Sequence, residues 1–307
     1  MAASDEKIAA KPLWLTTAPV VFLLFWSSGF TFAKLGLLYS EPMTFLALRF
    51  GLVLVVLVPL ALLLRPGVPR RAADWGHLAV VGFLVQAVYF GLSYLSFAAG
   101  VSAGAVALIV SLQPILVAIA APALAGERVS ALRWLGLVLG LTGAAIVIVA
   151  RSTIEAASAF GLVCAFVAML GMTAAALYEK RFGLNHHPVT ANLVQFAVGL
   201  AVILPLAYVM ESMVVVWSGE LIVSLGVLVI ANSLIAVSLL LAMIRAGEVS
   251  RVSALMYLVP PLAALLAWPM LGEAMPPLAW LGLAVAAAGV VLATRRIKEP
   301  AAPEANL

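Results

Sequence analysis

The stretch that decides the fold is SLQPILVAIAAPALAGERVSALRWLGLVLGLTG, residues 111–143, because the chain carries it twice. Residues 257–289 read YLVPPLAALLAWPMLGEAMPPLAWLGLAVAAAG. Pro114 matches Pro260, Gly126 matches Gly272, Glu127 matches Glu273, and Trp134, Gly136 and Gly143 match Trp280, Gly282 and Gly289. Apolar segments align easily by composition alone. A shared proline, Gly-Glu turn and Trp-Leu-Gly at one constant offset, 146 residues, mark an internal repeat.

Both copies belong to a chain built for lipid. Of its 307 residues 65% are hydrophobic and 10% charged, and the mean hydropathy is +1.19. Soluble domains average ~45–50% apolar and ~25% charged. A helical crossing uses ~20 apolar residues, so the chain holds roughly ten and leaves no stretch for a large extramembrane catalytic domain. The apolar runs are continuous, whereas a barrel would show ~10-residue alternating segments. The run from Leu13 to Phe32 is too long for the apolar core of a cleaved leader and has no convincing small-residue cleavage site, so it reads as the first span. Cys164 is the single cysteine, which excludes disulfide scaffolds and cysteine metal sites.

The expected fold is an all-α integral membrane protein with ten transmembrane helices, near 14–36, 44–64, 76–97, 101–124, 132–150, 158–178, 190–210, 219–241, 250–271 and 277–294. They divide into a tail (1–13), a first five-helix repeat (14–150), a linker (151–157), a second repeat (158–294) and a tail (295–307). With the N-terminus inside, the inner loops and tails hold Lys7, Lys11, Arg65, Arg70, Arg71, Arg128, Arg133, Lys180, Arg181, Arg245, Arg251, Arg295, Arg296 and Lys298. Lys34, Arg49 and Arg151 are the rest of the 17 basic residues. The positive-inside rule then puts both termini in the cytoplasm. The net charge of +4 reports topology and not nucleic-acid binding. Five helices per repeat is an odd number, so the second copy inserts upside down, the arrangement by which many carriers obtain states open to each side.

Polar side chains inside spans need an interior face or a partner. Gly82, Gln86, Tyr89, Ser93 and Ser96 recur at helical steps in the third span, with Phe90, Tyr94 and Phe97 beside them. They read as a cavity wall or as helix–helix glue, and Gln and Tyr are large for a close-packed seam. Trp26, Ser27 and Thr31 give the first span a similar face, and Trp26 lies too deep for an interfacial belt. Gln113, Asn232, Ser253 and Tyr257 complete the candidate substrate contacts. Pro114, and Pro260 with Pro261, are candidate helix breaks, each removing a helical N–H. Lys34 and Arg49 are read as bracing an outer gate, or alternatively as attracting a substrate carboxylate, with Glu41 positioned to pair with either. Glu179 and Arg245 are candidates for an inner gate. Glu127 and Glu273, at turns, read as structural. No Ser-His-Asp set, paired aspartates, HExxH or Walker motif appears, so no catalytic residue, metal or cofactor is expected.

WSSGFTFAKLGL (26–37), FLALRF (45–50), GLSYLSFAAGVSAGAVALIVSLQPI (91–115) and both Gly-Glu turns resemble the EamA-type branch of the drug/metabolite transporter superfamily, over about residues 14–294. Within that branch they are most similar to bacterial amino acid exporters of the YddG type. The resemblance implies two five-helix halves in the bacterial inner membrane, exporting small metabolites, amino acids first, through a central cavity. The expected partners are a small-molecule substrate and the bilayer, with no nucleic acid and no obligatory protein. A multidrug or phosphorylated-metabolite exchanger is the alternative, and an intramembrane enzyme a more distant one. Pro260-Pro261 stands where the first half has Gln113-Pro114, so the halves differ chemically.

Overall fold

The computed structural model describes residues 13–124, 130–152, 158–182, 186–239 and 258–294, with Met243 and Met256. The described residues form helices joined by short loops, and the one strand-like feature among them is an isolated bridge between Ser40 and Val215. The helices are α1 (Leu13–Gly36), α2 (Pro42–Leu64), α3 (Ala72–Ala98), α4 (Ala103–Val110), α5 (Gln113–Leu124), α6 (Ala131–Ser152), α7 (Ala159–Phe182), α8 (Pro188–Met210), α9 (Gly219–Leu239), α10 (Val259–Leu271) and α11 (Pro277–Thr294).

Six of them, α1, α2, α3, α7, α8 and α9, are long and apolar enough to cross a membrane. The apolar runs of α4, α6, α10 and α11 are shorter. The expected continuous span over 101–124 is in fact two helices. α4 stops at Val110, Ser111 and Leu112 turn, and α5 restarts with Pro114 as its second residue, where a missing N–H costs nothing. Pro260 and Pro261 likewise sit in the first turn of α10.

The 146-residue offset recurs among the described helices. α2 and α8 begin at Pro42 and Pro188 and both have 23 residues. Those prolines open their helices with φ already set. α6 and α11 begin at 131 and 277. Even an irregularity repeats: α3 is π-helical over Phe83–Phe90 and α9 over Val227–Ala236.

Packing follows the same rule. Equivalent helices meet, α2 with α8 and α6 with α11, while α1 packs on α9 and α10 as α7 packs on α3 and α5. A Cβ on Gly143 would lie 2.5 Å from the Gly282 carbonyl oxygen, and one on Gly289 would lie 2.6 Å from that of Gly136. Each contact is the repeat image of the other, so α6 and α11 cross antiparallel about a local two-fold. Only glycine lets the backbones come this close.

Phe45, Leu46, Phe50, Val106, Ile109 and Ile115 form the centre of the core. Val55, Leu62, Leu63, Val149 and Val209 are exposed, an apolar surface suited to lipid and not to water. At the end where α1 stops and α2 begins, two carboxylates from the second repeat cap helices of the first. Glu211 accepts from the Met43 and Thr44 N–H groups and the Thr44 hydroxyl, all at 2.7 Å. Glu273 accepts from the Ala103 N–H at 3.0 Å, at the start of α4. Both meet the positive end of a helix.

Candidate functional site

Between the repeats lies a small cavity, open on one side. α1 contributes Trp26, Gly29, Phe30 and Ala33; α3 contributes Tyr89, Phe90, Ser93, Tyr94 and Phe97; α2 and α9 contribute Arg49 and Asn232. Rings therefore make most of the wall. Tyr89 and Phe90 have centroids 4.6 Å apart, and Tyr94 sits 6.1 Å from Phe97.

Arg49 is the charged member of this lining, two turns inside α2 and only 2% exposed. Its Nη1 donates to the Tyr94 hydroxyl at 3.1 Å, and its Nη2 donates to Asn232 Oδ1 at 2.9 Å and to Ser233 Oγ at 3.0 Å. The guanidinium carbon stands 4.5 Å from the centre of the Phe90 ring, within cation–π range. Its Nε has no partner, and neither has the buried Ser93 hydroxyl. Asn232 is held in turn: its Nδ2 donates to the Phe25 carbonyl at 3.3 Å and occupies the space that a side chain at Gly29 would fill. The cavity thus presents aromatic faces, one cation and unspent hydrogen-bonding groups.

Trp26, Tyr89, Tyr94 and Asn232 come together as the sequence suggests. Gln86 does not reach the cavity. It is buried against Gly199 of α8, close to Phe50, and its Oε1 is unpartnered. The reason is the π-helical turn in α3, whose i→i+5 bonding breaks the 3.6-residue period on which the polar stripe was read. Ser27 is fully buried beside the cavity and off its wall. Gln113 is half-buried at the start of α5, next to the Pro114 break, and lies outside this cavity. Ser253, Tyr257 and Arg245 lie outside the described residues.

The charges also rearrange the expected pairing. Lys34 donates to Glu273 Oε1 at 2.5 Å and to the Val101 carbonyl at 3.1 Å, so it braces α1 against the α10–α11 turn. Glu41 pairs with neither cation and accepts from the Ser212 hydroxyl at 2.8 Å. Arg49 is a cavity residue rather than an end-of-helix brace. Glu179 is exposed at the end of α7. The sequence pattern does not single out Ser233, Gly29 or Phe30. Asn-Ser inside an otherwise apolar span was a usable signal for the first of these.

A helical framework with lipid-suited faces, two like halves and an inter-repeat cavity defines a multi-pass integral membrane protein. The chain belongs to the EamA-like transporter family, whose sequence profile matches residues 13–149 and 159–295. It is therefore a membrane transporter by family. It is 29% identical over 295 residues to a probable terminal-alkyne amino-acid exporter of Streptantibioticus cattleyicolor, covering 94% of both chains. It is 27% identical to the uncharacterized transporter YvbV of Bacillus subtilis, covering 81% of both. To the uncharacterized inner membrane transporter YedA of Escherichia coli K12 it is 23% identical, covering 88% of this chain and 87% of that one. One solved crystal structure shares the fold with a TM-score of 0.59 at 18% identity, covering 91% of this chain and 96% of that chain.

Proposed function

We propose that this transporter exports small zwitterionic metabolites, amino acids including aromatic ones, across the bacterial inner membrane by alternating access. The observation that carries the reading is the cavity between the repeats, lined by Trp26, Tyr89, Phe90, Tyr94 and Phe97 with Arg49 and Asn232 in its wall. Ring faces take apolar and aromatic side chains, and the polar groups hold a zwitterion's head. In this reading the chain crosses the bilayer ten times as two inverted five-span halves, 14–150 and 158–294, with both termini in the cytoplasm. The antiparallel crossing of α6 and α11 supports the inversion, because equivalent helices related by a two-fold in the membrane plane must run in opposite directions. The amino-acid exporter among its relatives supports the substrate class. The phosphorylated-metabolite alternative loses ground, since Lys34, the second cation it needs, is bound to Glu273.

Transport of labelled amino acids by the purified protein in proteoliposomes tests the reading. Counterflow of phenylalanine or leucine is the expected result, and none for any amino acid would refute it. Orientation is tested separately with introduced cysteines. Those at Arg70 and His186 should resist an impermeant thiol reagent in intact cells, while one at Gly219 should react.

A further inference from the structure

We propose that Arg49 anchors a substrate carboxylate, and that the cavity selects molecules with one carboxylate on an apolar or aromatic body over the matching amines and phosphate esters. The inference rests on the cavity being the substrate site. A guanidinium stays charged at any accessible pH, and a buried charge without a counter-charge is costly. Every partner of Arg49 is neutral: two hydroxyls, one amide oxygen and a ring face. The described carboxylates near this end of the bundle are engaged elsewhere. Glu273 meets Lys34 and the Ala103 N–H, Glu211 meets the start of α2, and Glu41 meets Ser212.

What Arg49 retains is donor capacity at the cavity wall. Three of its five N–H groups are accounted for, and Nε is bare. Ser93, whose buried hydroxyl is likewise unpartnered, belongs to the same wall. A carboxylate there supplies the missing charge and accepts what Arg49 still offers, in the charge-assisted geometry that arginine favours. An ammonium would instead sit near an unbalanced cation. A phosphate dianion would bring two charges to one, and Lys34 neither lines the cavity nor stands free. The repeat makes the asymmetry explicit, because the residue equivalent to Arg49 is Gln195, so the second half brings no matching charge.

The test is a ligand series on the wild-type protein, read by the thermal shift each compound gives to the purified carrier. L-phenylalanine and 3-phenylpropanoate, which lacks the ammonium, should bind. 2-Phenylethylamine, which lacks the carboxylate, should bind at least about tenfold more weakly, the ratio expected when a hydrogen bond to a charged group is lost. Phenyl phosphate should also be weaker than the acid. Arg49→Gln should erase the acid-over-amine preference and Arg49→Lys keep part of it; the wild-type series stands by itself if either variant fails to fold. Equal binding of amine and acid, tightest binding of phenyl phosphate, or no binding of either acid overturns the proposal. Selective acid binding without any flux would leave it standing and refute the export reading alone.

Discussion

Set side by side, the two repeats share a frame and differ in chemistry. Their helices begin in register, at 42 and 188 and at 131 and 277, and both carry a π-helical segment at nearly the same place. Yet the contact between Arg49 and Asn232 has as its repeat image the pair Gln195 and Gln86, two neutral amides. Gln195 packs its backbone against Gly82, where a Cβ would lie 2.8 Å from the Gln195 Cα. The backbone course depends on apolar faces and on a set of prolines and glycines that the copies share, Pro42 with Pro188, Pro114 with Pro260 and Gly143 with Gly289 among them. Recognition depends on the polar positions, where the copies part.

The comparison can be broken most severely at its symmetric crossing. Gly143→Val and Gly289→Val should each leave little monodisperse protein in detergent, because the added carbons would enter the backbone of the facing helix. Normal yield and melting of either variant would mean that α6 and α11 do not meet as described. Next comes Glu273→Gln, which strands the partly buried Lys34 and should cost about 3 kcal/mol of stability. Combining it with Lys34→Met should recover most of that loss, and a strictly additive double variant would argue against the pair.

Glu211→Gln keeps an acceptor on α2 but removes its charge, for an expected loss of about 1 kcal/mol by thermal unfolding. Gln86→Ala sharpens the contrast with Arg49. It should change stability by about 1 kcal/mol or less and leave ligand affinity as in wild type, since its oxygen already lacks a partner. An affinity loss would return Gln86 to the substrate path. Smallest is Gly219→Ala, where nothing lies within 4 Å and no measurable change is expected.

How far the sequence could be read follows from the same division. Helix positions and the repeat were legible because lipid leaves a chain few options and glycine and proline sit at fixed offsets. Trp26 drew notice because it lies too deep for an interface, Tyr89 and Tyr94 through the stripes of the third span, and Asn232 as a polar side chain inside an apolar span. Gln86 was misplaced because a π-helical turn leaves no mark in hydropathy, and any periodicity argument crosses it unaware. The Lys34–Glu273 pair and the Glu211 cap were hidden for another reason: they join residues 239 and 167–168 positions apart, and no local pattern encodes who meets whom at that distance.

Arg49 also sets a problem of timing during synthesis. Its partner Asn232 lies 183 residues downstream, so α2 is made long before that acceptor exists. At ~5–20 residues per second the wait is roughly ten to forty seconds. Through that interval α2 must sit in the bilayer with an unfinished arginine, a burden of ~2.5–3.5 kcal/mol on the insertion scale. α2 is also the most apolar of the six long spans, with a mean hydropathy of 2.6. The long run from Leu52 to Leu64 holds the helix in the membrane until the second half of the protein arrives to complete the site.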